Sequence, residues 1–254
     1  MASILFISPL LCCDCGNGPE GGSRSPTIVT ESHDPAKKDA LGDYSKERER
    51  MVREQIERRD IKDPHVLRAM HKVPRHRFLG ESYRDNAYED RALPIEGGQT
   101  ISQPYIVALM TELARVKPGD TVLEVGTGSG YQAAVLAEIG VRVFSIEIVK
   151  TLATTARDRL DKLGYKDVQV RHGDGYDGWK EHAPFDAIVI TAAPPRIPEP
   201  LKQQLRVGGR LVVPVGGWQQ QLMVVTRTPT GFNMKSTIPV IFVPMTGKAQ
   251  AENP

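Results

Sequence analysis

A glycine-rich segment at residues 124–130 is the part of this sequence best suited to chemistry. It reads Glu-Val-Gly-Thr-Gly-Ser-Gly, follows a run of β-forming residues and leads into a helical pattern. Glycines at such a strand-to-helix turn let the backbone approach a ligand closely. Glu147 comes 21 residues after Gly126, at the end of the next apolar run, where its carboxylate can accept hydrogen bonds from both hydroxyls of a ribose. Together these features predict a cofactor that contains ribose.

The spacing of the glycines distinguishes between two classes of such cofactors. Dinucleotide-binding proteins place Gly-x-Gly-x-x-Gly at this turn. Here Gly126, Gly128 and Gly130 alternate, and Tyr131 stands where the third glycine would be. Glu124 adds an acid beside the loop, which favours the ammonium and sulfonium groups of S-adenosylmethionine over a pyrophosphate. The pattern therefore favours S-adenosylmethionine, and a nicotinamide dinucleotide is the weakest alternative.

A second acidic turn supports the same cofactor. Asp174 and Gly175 follow the β-rich run at 168–171, where the carboxylate could accept from an adenine amino group and the glycine leaves room for the ring. Taken alone, an Asp-Gly pair is more often a simple turn. The residues predicted from these turns to bind the cofactor are Glu124, Gly126, Gly128, Ser129, Gly130, Glu147, Asp174 and Gly175.

The elements that must position these residues alternate between strands and helices. This alternation predicts an α/β fold, a Rossmann-like, doubly wound, mostly parallel sheet with helices on both faces. Extra helices are expected before His71, one of them starting at Asp63-Pro64, and runs at 222–227 and 238–243 predict antiparallel edge strands. The β-rich runs are 121–125, 141–146, 168–171, 187–191 and 210–215, and the helical patterns are 104–116, 131–138, 149–163 and 198–205.

Composition and charge exclude several classes of protein. Of the 254 residues 40% are hydrophobic and 25% charged, and no apolar run reaches the roughly 18 residues of a membrane-spanning helix. Lys and Arg number 33 against 31 Asp and Glu, so the net charge of +2 provides no broad footprint for nucleic acid. The three cysteines, Cys12, Cys13 and Cys15, lack the paired spacing of a zinc site. We expect neither a metal nor a nucleic-acid partner.

Several segments together resemble one enzyme family. The most specific is Thr100-Ile101-Ser102-Gln103-Pro104, and others lie at 73–75, 87–90, 173–175, 208–211 and 242–246. With the glycine loop, these segments resemble the protein L-isoaspartate O-methyltransferase family over most of the chain after about Met51. The resemblance implies methyl transfer from S-adenosylmethionine to the free α-carboxylate of L-isoaspartyl residues in damaged proteins and peptides. These would be the partners of an enzyme that we expect to be a monomer.

The resemblance also assigns roles to particular residues. The serine of the family motif is assigned to catalysis, so Ser102 is the candidate catalytic residue, donating a hydrogen bond that orients the substrate carboxylate. An α-carboxyl group has a reference pKa of about 3.5, so no general base is needed. Alternatively, Ser102 caps the helix entered at Pro104. The resemblance also implies that the substrate pocket is shaped by Thr100, Ile101 and Gln103. Thr246 matches a threonine of the family's C-terminal strand segment that approaches the cofactor.

The N-terminal residues differ in composition from the rest. Residues 1–15 hold an apolar stretch of signal-peptide length, but no Lys or Arg precedes it. The following residues are rich in Gly, Ser and Pro and have too few aliphatic side chains to offset the entropy of ordering. We predict a disordered leader at 1–45, a methyltransferase domain at 46–254, and a cytoplasmic location, with export through the N-terminus as the alternative.

Two other functions stay open on the sequence alone. A class I methyltransferase acting on RNA or a small molecule would share the cofactor loop but would not need residues 100–104. A non-catalytic cofactor-binding interaction module would keep the fold and lack turnover. Trp179 and Trp218 are interpreted as packing residues rather than as a platform for stacking bases.

Overall fold

A seven-stranded sheet organises the protein in a computed structural model that describes residues 43–251. Two short strands precede it and pair with each other, β1 (Leu93–Pro94) and β2 (Thr100–Ile101). The strands of the large sheet are β3 (Thr121–Val125), β4 (Arg142–Glu147), β5 (Gln169–His172), β6 (Phe185–Ile190), β7 (Leu205–Val215), β8 (Gln220–Thr228) and β9 (Gly231–Val240). They lie in the order β5-β4-β3-β6-β7-β8-β9; the first five are parallel, and β8 and β9 add antiparallel pairing at one edge.

The described residues contain seven α-helices. They are α1 (Ser45–Met51), α2 (Pro64–Lys72), α3 (Pro104–Ala114), α4 (Tyr131–Ile139), α5 (Lys150–Lys162), α6 (Glu199–Gln203) and α7 (Lys248–Ala251). After α1 the chain stays helical through a π-helical turn at Val52–Ile56 and a 3-10 turn at Glu57–Arg59. None of the helices in residues 43–251 is long and apolar enough to cross a membrane.

Both faces of the sheet are buried, because successive residues of a strand point to opposite sides. In β6, Ala187 and Val189 join a core built with helices α1 to α5. Ile188 and Ile190 join the other core, which includes Leu201 of α6 and residues near α7. This two-sided burial explains the nearly continuous apolar runs in the sequence, and the predicted fold class is confirmed.

The structure departs from the sequence predictions mainly near the C-terminus. The last strand was predicted at 238–243, but β9 spans Gly231–Val240. Its first half lies at the sheet edge, where residues 233–236 are exposed, and its alternating pattern is short, with only Phe232 and Met234 as large apolar residues. The helix predicted at 198–205 ends at Gln203, and Leu205 already begins β7.

The predicted leader lies almost wholly outside the described residues. So do its signal-like segment at 1–15 and the cysteine cluster. Of residues 1–45, the structure describes only 43–45, and Ser45 already begins α1. The leader and the domain boundary that was placed after it therefore stay predictions.

Helix α2 begins as the sequence predicts, with Asp63 as its N-cap and Pro64 in its first turn. The Asp63 carboxylate accepts hydrogen bonds from the backbone N–H groups of His65 at 2.8 Å and Val66 at 3.4 Å. Replacing an N-cap acid by alanine leaves these donors without a side-chain partner. We expect Asp63→Ala to lower the free energy of unfolding by about 0.5–2 kcal/mol in urea titrations. Asp161→Ala, at an exposed position of α5, is the control, and an equal loss there would contradict the capping role.

Candidate active site

A cleft opens at the carboxyl ends of β3, β4 and β6. The strand order reverses here, since β4 and β6 lie on opposite sides of β3, and open α/β sheets bind ligands at such switch points. The cleft encloses about 840 Å³ of empty space, counting the part open to solvent. Predicted site residues that line it are Thr100, Ile101, Ser102, Gly126, Gly128, Ser129, Glu147, Gly175 and Thr246.

The glycine loop is held tightly against the end of β6. Gly126 has a φ of +98°, and a Cβ atom there would collide with the hydroxyl of Thr191. That hydroxyl donates to the carbonyl oxygen of Gly126 at 2.5 Å. Gly130 stands one turn further on as the N-cap of α4, and it does not line the cleft. Only a residue without a side chain fits at Gly126, so the loop can turn directly against the end of β6.

Glu147 ends β4 with its carboxylate at the cleft. The side chain is 5% exposed, and its two oxygens accept from the backbone N–H groups of Gly128 at 2.7 Å and Val149 at 2.9 Å. Each carboxylate oxygen has a further lone pair for another donor. Glu147 is therefore fixed in position and can accept hydrogen bonds from ribose hydroxyls, as its place in the sequence predicts.

Glu124, in contrast, lies beneath the loop and not in the cleft. It is fully buried, one carboxyl oxygen is hydrogen-bonded to the Ser145 hydroxyl, and Oε1 has no hydrogen-bond partner among the described residues. Burial raises the pKa of Glu124 to about 8; the Ser145 hydrogen bond opposes this shift, and the nearby Glu147 carboxylate adds to it. Because Glu124 is then mostly protonated at neutral pH, it does not supply the negative charge expected beside the loop.

Asp174 is also turned away from the cleft. Its carboxylate accepts from the backbone N–H groups of Tyr176 at 2.9 Å and Lys248 at 2.8 Å, joining the turn after β5 to the start of α7. Gly175 does line the cleft. A Cβ atom on Gly175 would collide with Val125 of β3, so packing against this strand, rather than room for a ligand ring, requires glycine there.

The segment at residues 100–104 brings Ser102 to the cleft. Strand β2 ends at Ile101, and α3 begins at Pro104, so Ser102 lies in the short connection between them. The N-cap residue of α3 is Gln103, and no side chain makes a capping hydrogen bond there. The alternative role of Ser102 as a helix cap is therefore wrong.

A second cavity, which we call the groove, adjoins the cleft. It encloses about 1030 Å³ of empty space, including open solvent, and its walls include Arg59, Gln103 and the segment 238–243. The Arg59 guanidinium is held 2.9 Å from Asp90 and 3.4 Å above the ring of Tyr105. Four residues line both cavities: Thr100, Ser102, Thr191 and Val243. Gln103 thus belongs to the groove and not to the cleft.

Sequence analysis missed many of the residues that line the cleft. Thr191 directly follows the central strand β6, and a polar residue at that position is a signal that could have found it. Thr246 lies in an irregular segment rather than the expected strand, where Met245 N–H donates to the carbonyl oxygen of Ala193 at 2.8 Å. The missed lining residues are Gln99, Val107, Val125, Thr127, Tyr131, Gln132, Ile146, Ile148, Val149, Thr191, Ala192, Val243, Pro244 and Met245.

The fold and the site together define a class I methyltransferase. This class is marked here by the alternating glycines after the first strand of a largely parallel sheet, the acid that ends the next strand, and the antiparallel edge. The profile of the protein-L-isoaspartate(D-aspartate) O-methyltransferase family matches residues 46–250. The chain belongs to this family.

Individual relatives agree with that assignment. A protein-L-isoaspartate O-methyltransferase of Gloeobacter violaceus is 58% identical over 205 residues, covering 80% of this chain and 100% of the relative. One from a Synechococcus species is 54% identical over 231 residues, covering 88% and 94%. A crystal structure described as a protein-L-isoaspartate O-methyltransferase from Plasmodium falciparum in complex with S-adenosyl-L-homocysteine is also similar. Its sequence is 26% identical, the TM-score is 0.69, and the match covers 81% of this chain and 99% of that one.

The position of Glu147 generates a prediction about ligand affinity. Glu147→Ala removes an acceptor from the cleft and also frees the backbone N–H of Gly128. We expect it to weaken the binding of S-adenosylhomocysteine by about 1–3 kcal/mol in calorimetry, since hydrogen bonds to a charged group are lost. Glu181→Ala, on the exposed surface, should bind normally. Unchanged affinity in the Glu147 variant would contradict this placement of the ligand.

The buried Glu124 predicts a pH dependence of stability. Its pKa is raised from 4.5 to about 8, so the folded protein binds more protons than the unfolded chain between these values. Stability should therefore fall as pH rises through this range, by at most about 1.4 kcal/mol per pH unit for one proton. In Glu124→Gln, which resembles the protonated acid, denaturation curves from pH 5 to 8 should show a flatter dependence. Parallel curves for both proteins would exclude a raised pKa.

Proposed function

We propose that this protein transfers a methyl group from S-adenosylmethionine to the free α-carboxylate of L-isoaspartyl residues in damaged proteins and peptides. The observation that carries the proposal is the junction of the cleft and the groove at Ser102, Thr100 and Thr191. A methyl donor in one cavity and a polypeptide carboxylate in the other would meet there. Membership of the family supports this choice of substrate.

The residues of the cleft suit S-adenosylmethionine. Glu147 offers acceptors for ribose hydroxyls, and the tight turn at Gly126 brings the glycine loop to the wall of the cleft. Ile148, which is 36% exposed, offers an apolar surface beside Glu147. When bound, the cofactor supplies an electrophilic methyl group on a sulfonium. These residues hold and orient the methyl donor, and they take no part in the chemical step.

The cleft also suits a reaction without a general base. No Asp, His or Lys is among its lining residues in the described part of the chain, and the two titratable ones are Glu147 and Tyr131. Burial raises the pKa of Tyr131, so its hydroxyl keeps its proton. A substrate α-carboxylate is already ionised at neutral pH and needs alignment and removal of water rather than deprotonation.

Ser102 is the residue that we assign to this alignment. It is half-buried at the junction of the two cavities, between the end of β2 and the start of α3. Its hydroxyl can donate a hydrogen bond to one carboxylate oxygen and leave the other to attack the methyl carbon. Thr100 and Ile101 on the cleft side and Gln103 on the groove side would then shape the space for the substrate backbone.

The setting of the reaction completes the proposal. We place the enzyme in the cytoplasm, because its cofactor is made there, and we expect it to act as a monomer on protein and peptide substrates. A substrate must present its isoaspartyl residue in an extended segment, since the carboxylate has to reach Ser102 from the groove.

Replacing Ser102 tests the proposed reaction. Ser102→Ala should lower kcat on an isoaspartyl peptide about ten- to a hundredfold, because one hydrogen bond to a charged group is lost at the reacting oxygen. Calorimetry should show S-adenosylhomocysteine binding close to that of the wild type. The measurement is transfer of labelled methyl groups, with the aspartyl twin of the peptide as blank and Ser82→Ala, at an exposed position, as the control variant. Full turnover in Ser102→Ala would exclude the assigned role, and equal labelling of both peptides by the wild type would exclude the proposed substrate.

A further inference from the structure

Two large apolar side chains, one of them in the wall of the groove, stand almost fully in solvent. Trp218 is 104% exposed and Ile241 is 94% exposed. The interpretation of Trp218 as a packing residue is therefore wrong. Single exposed apolar residues are common on protein surfaces, but these two carry more surface than any other large hydrophobic residue described, and Ile241 lines the groove itself.

The backbone that carries these side chains is fixed. Trp218 lies in the turn between β7 and β8, and the backbone N–H of Gly216 in that turn donates to the carbonyl oxygen of Pro194 at 3.1 Å. The buried Gln220 side chain then joins both segments. Its Nε2 donates to the carbonyl oxygens of Gly217 at 3.3 Å and Phe242 at 3.0 Å, and its Oε1 accepts from the N–H of Phe242 at 2.6 Å.

Gly217 and Phe242, the chain neighbours of Trp218 and Ile241, are therefore both hydrogen-bonded to the side-chain amide of Gln220. The turn and the segment after β9 are also neighbours in the sheet, since Gln220 pairs with Val240. The two segments that carry Trp218 and Ile241 are thus joined through Gln220, and the second of them forms part of the groove wall. We call this pair of side chains the rim.

We propose that the rim binds an apolar side chain that flanks the isoaspartyl residue in an extended polypeptide substrate. This inference rests on the proposed function. With the reacting carboxylate at Ser102, the substrate chain continues along the groove, whose wall at 238–243 leads to Ile241. Ile241 belongs to that wall, Gln220 joins the turn of Trp218 to it, and covering the exposed apolar surface of the rim is favourable. The rim would then select apolar flanking residues without touching the cofactor.

Steady-state kinetics with two peptides tests the rim. The peptides share an isoaspartyl residue and differ only in whether leucine or serine flanks it on both sides. We expect Trp218→Ser to raise KM for the leucine peptide about five- to tenfold and to leave the KM for the serine peptide unchanged. Ile241→Ser, which changes the groove lining, should raise KM for the leucine peptide more than for the serine peptide. Met234→Ser removes an exposed apolar side chain of β9 outside the groove lining, and it should change neither.

Other results of these kinetics would contradict the rim, the proposed function or both. Unchanged KM in both rim variants, or an equal rise for both peptides, would overturn the rim while the proposed function stands. If the wild type methylated neither peptide, the proposed function would fail, and the rim as a substrate site would fail with it.

Fluorescence identifies the occupant of the rim directly. The chain has two tryptophans, so in Trp179→Phe the emission comes from Trp218 alone. We expect the emission of a water-exposed indole, shifting to shorter wavelength on addition of the leucine peptide and not of the serine peptide. Emission already shifted without peptide would contradict the proposal; if it also varied with protein concentration, it would identify a second copy of the chain as the occupant.

Discussion

The site depends on one close contact between the ends of two neighbouring strands. After β3 the chain turns at Gly126, and after β6 the Thr191 hydroxyl reaches across to the carbonyl oxygens of Val125 at 3.2 Å and Gly126 at 2.5 Å. A side chain at Gly126 would push these ends apart. Because Thr191 lines both the cleft and the groove, that separation would disturb the two cavities together.

Two acids near this contact have opposite electrostatic tasks. Glu147 is a hydrogen-bonded carboxylate at the cleft, whereas Glu124 is buried, and its raised pKa keeps it mostly protonated. The Glu124 carboxyl is bonded to Ser145, whose hydroxyl lies 2.5 Å from that of Thr127 in the loop. A neutral Glu124 thus supports the loop from below without repelling Glu147. Different environments separate the roles of two identical side chains.

The same environments explain which parts of the site the sequence could predict. The places of the glycine loop and Glu147 were predictable, because the carboxyl ends of parallel strands converge and a sequence shows which residues stand there. Ser102, which follows a strand of the small antiparallel pair, was found only through the family motif at residues 100–104. Glu124 and Asp174 were not predictable, because residue type and spacing do not show whether a carboxylate turns to a ligand or to the protein's own hydroxyl and N–H groups. The start of β9 was missed because its first half lies at the sheet edge, where two alternating apolar residues, Phe232 and Met234, are too few to mark a strand.

On the proposed function, the fixed positions of Ser102 and Glu147 have a consequence for substrate choice. Ser102 is fixed between β2 and α3, and Glu147 is fixed by two backbone N–H groups, so the protein adds alignment to a nucleophile that is already charged. Alignment of this kind fails unless the substrate backbone can enter the groove. If the proposed function holds, a carboxylate within a folded helix or sheet would not reach Ser102, whereas one in an unfolded or damaged segment would. Selectivity for damaged chains would then come from the shape of the groove as well as from the chemistry at the carboxylate.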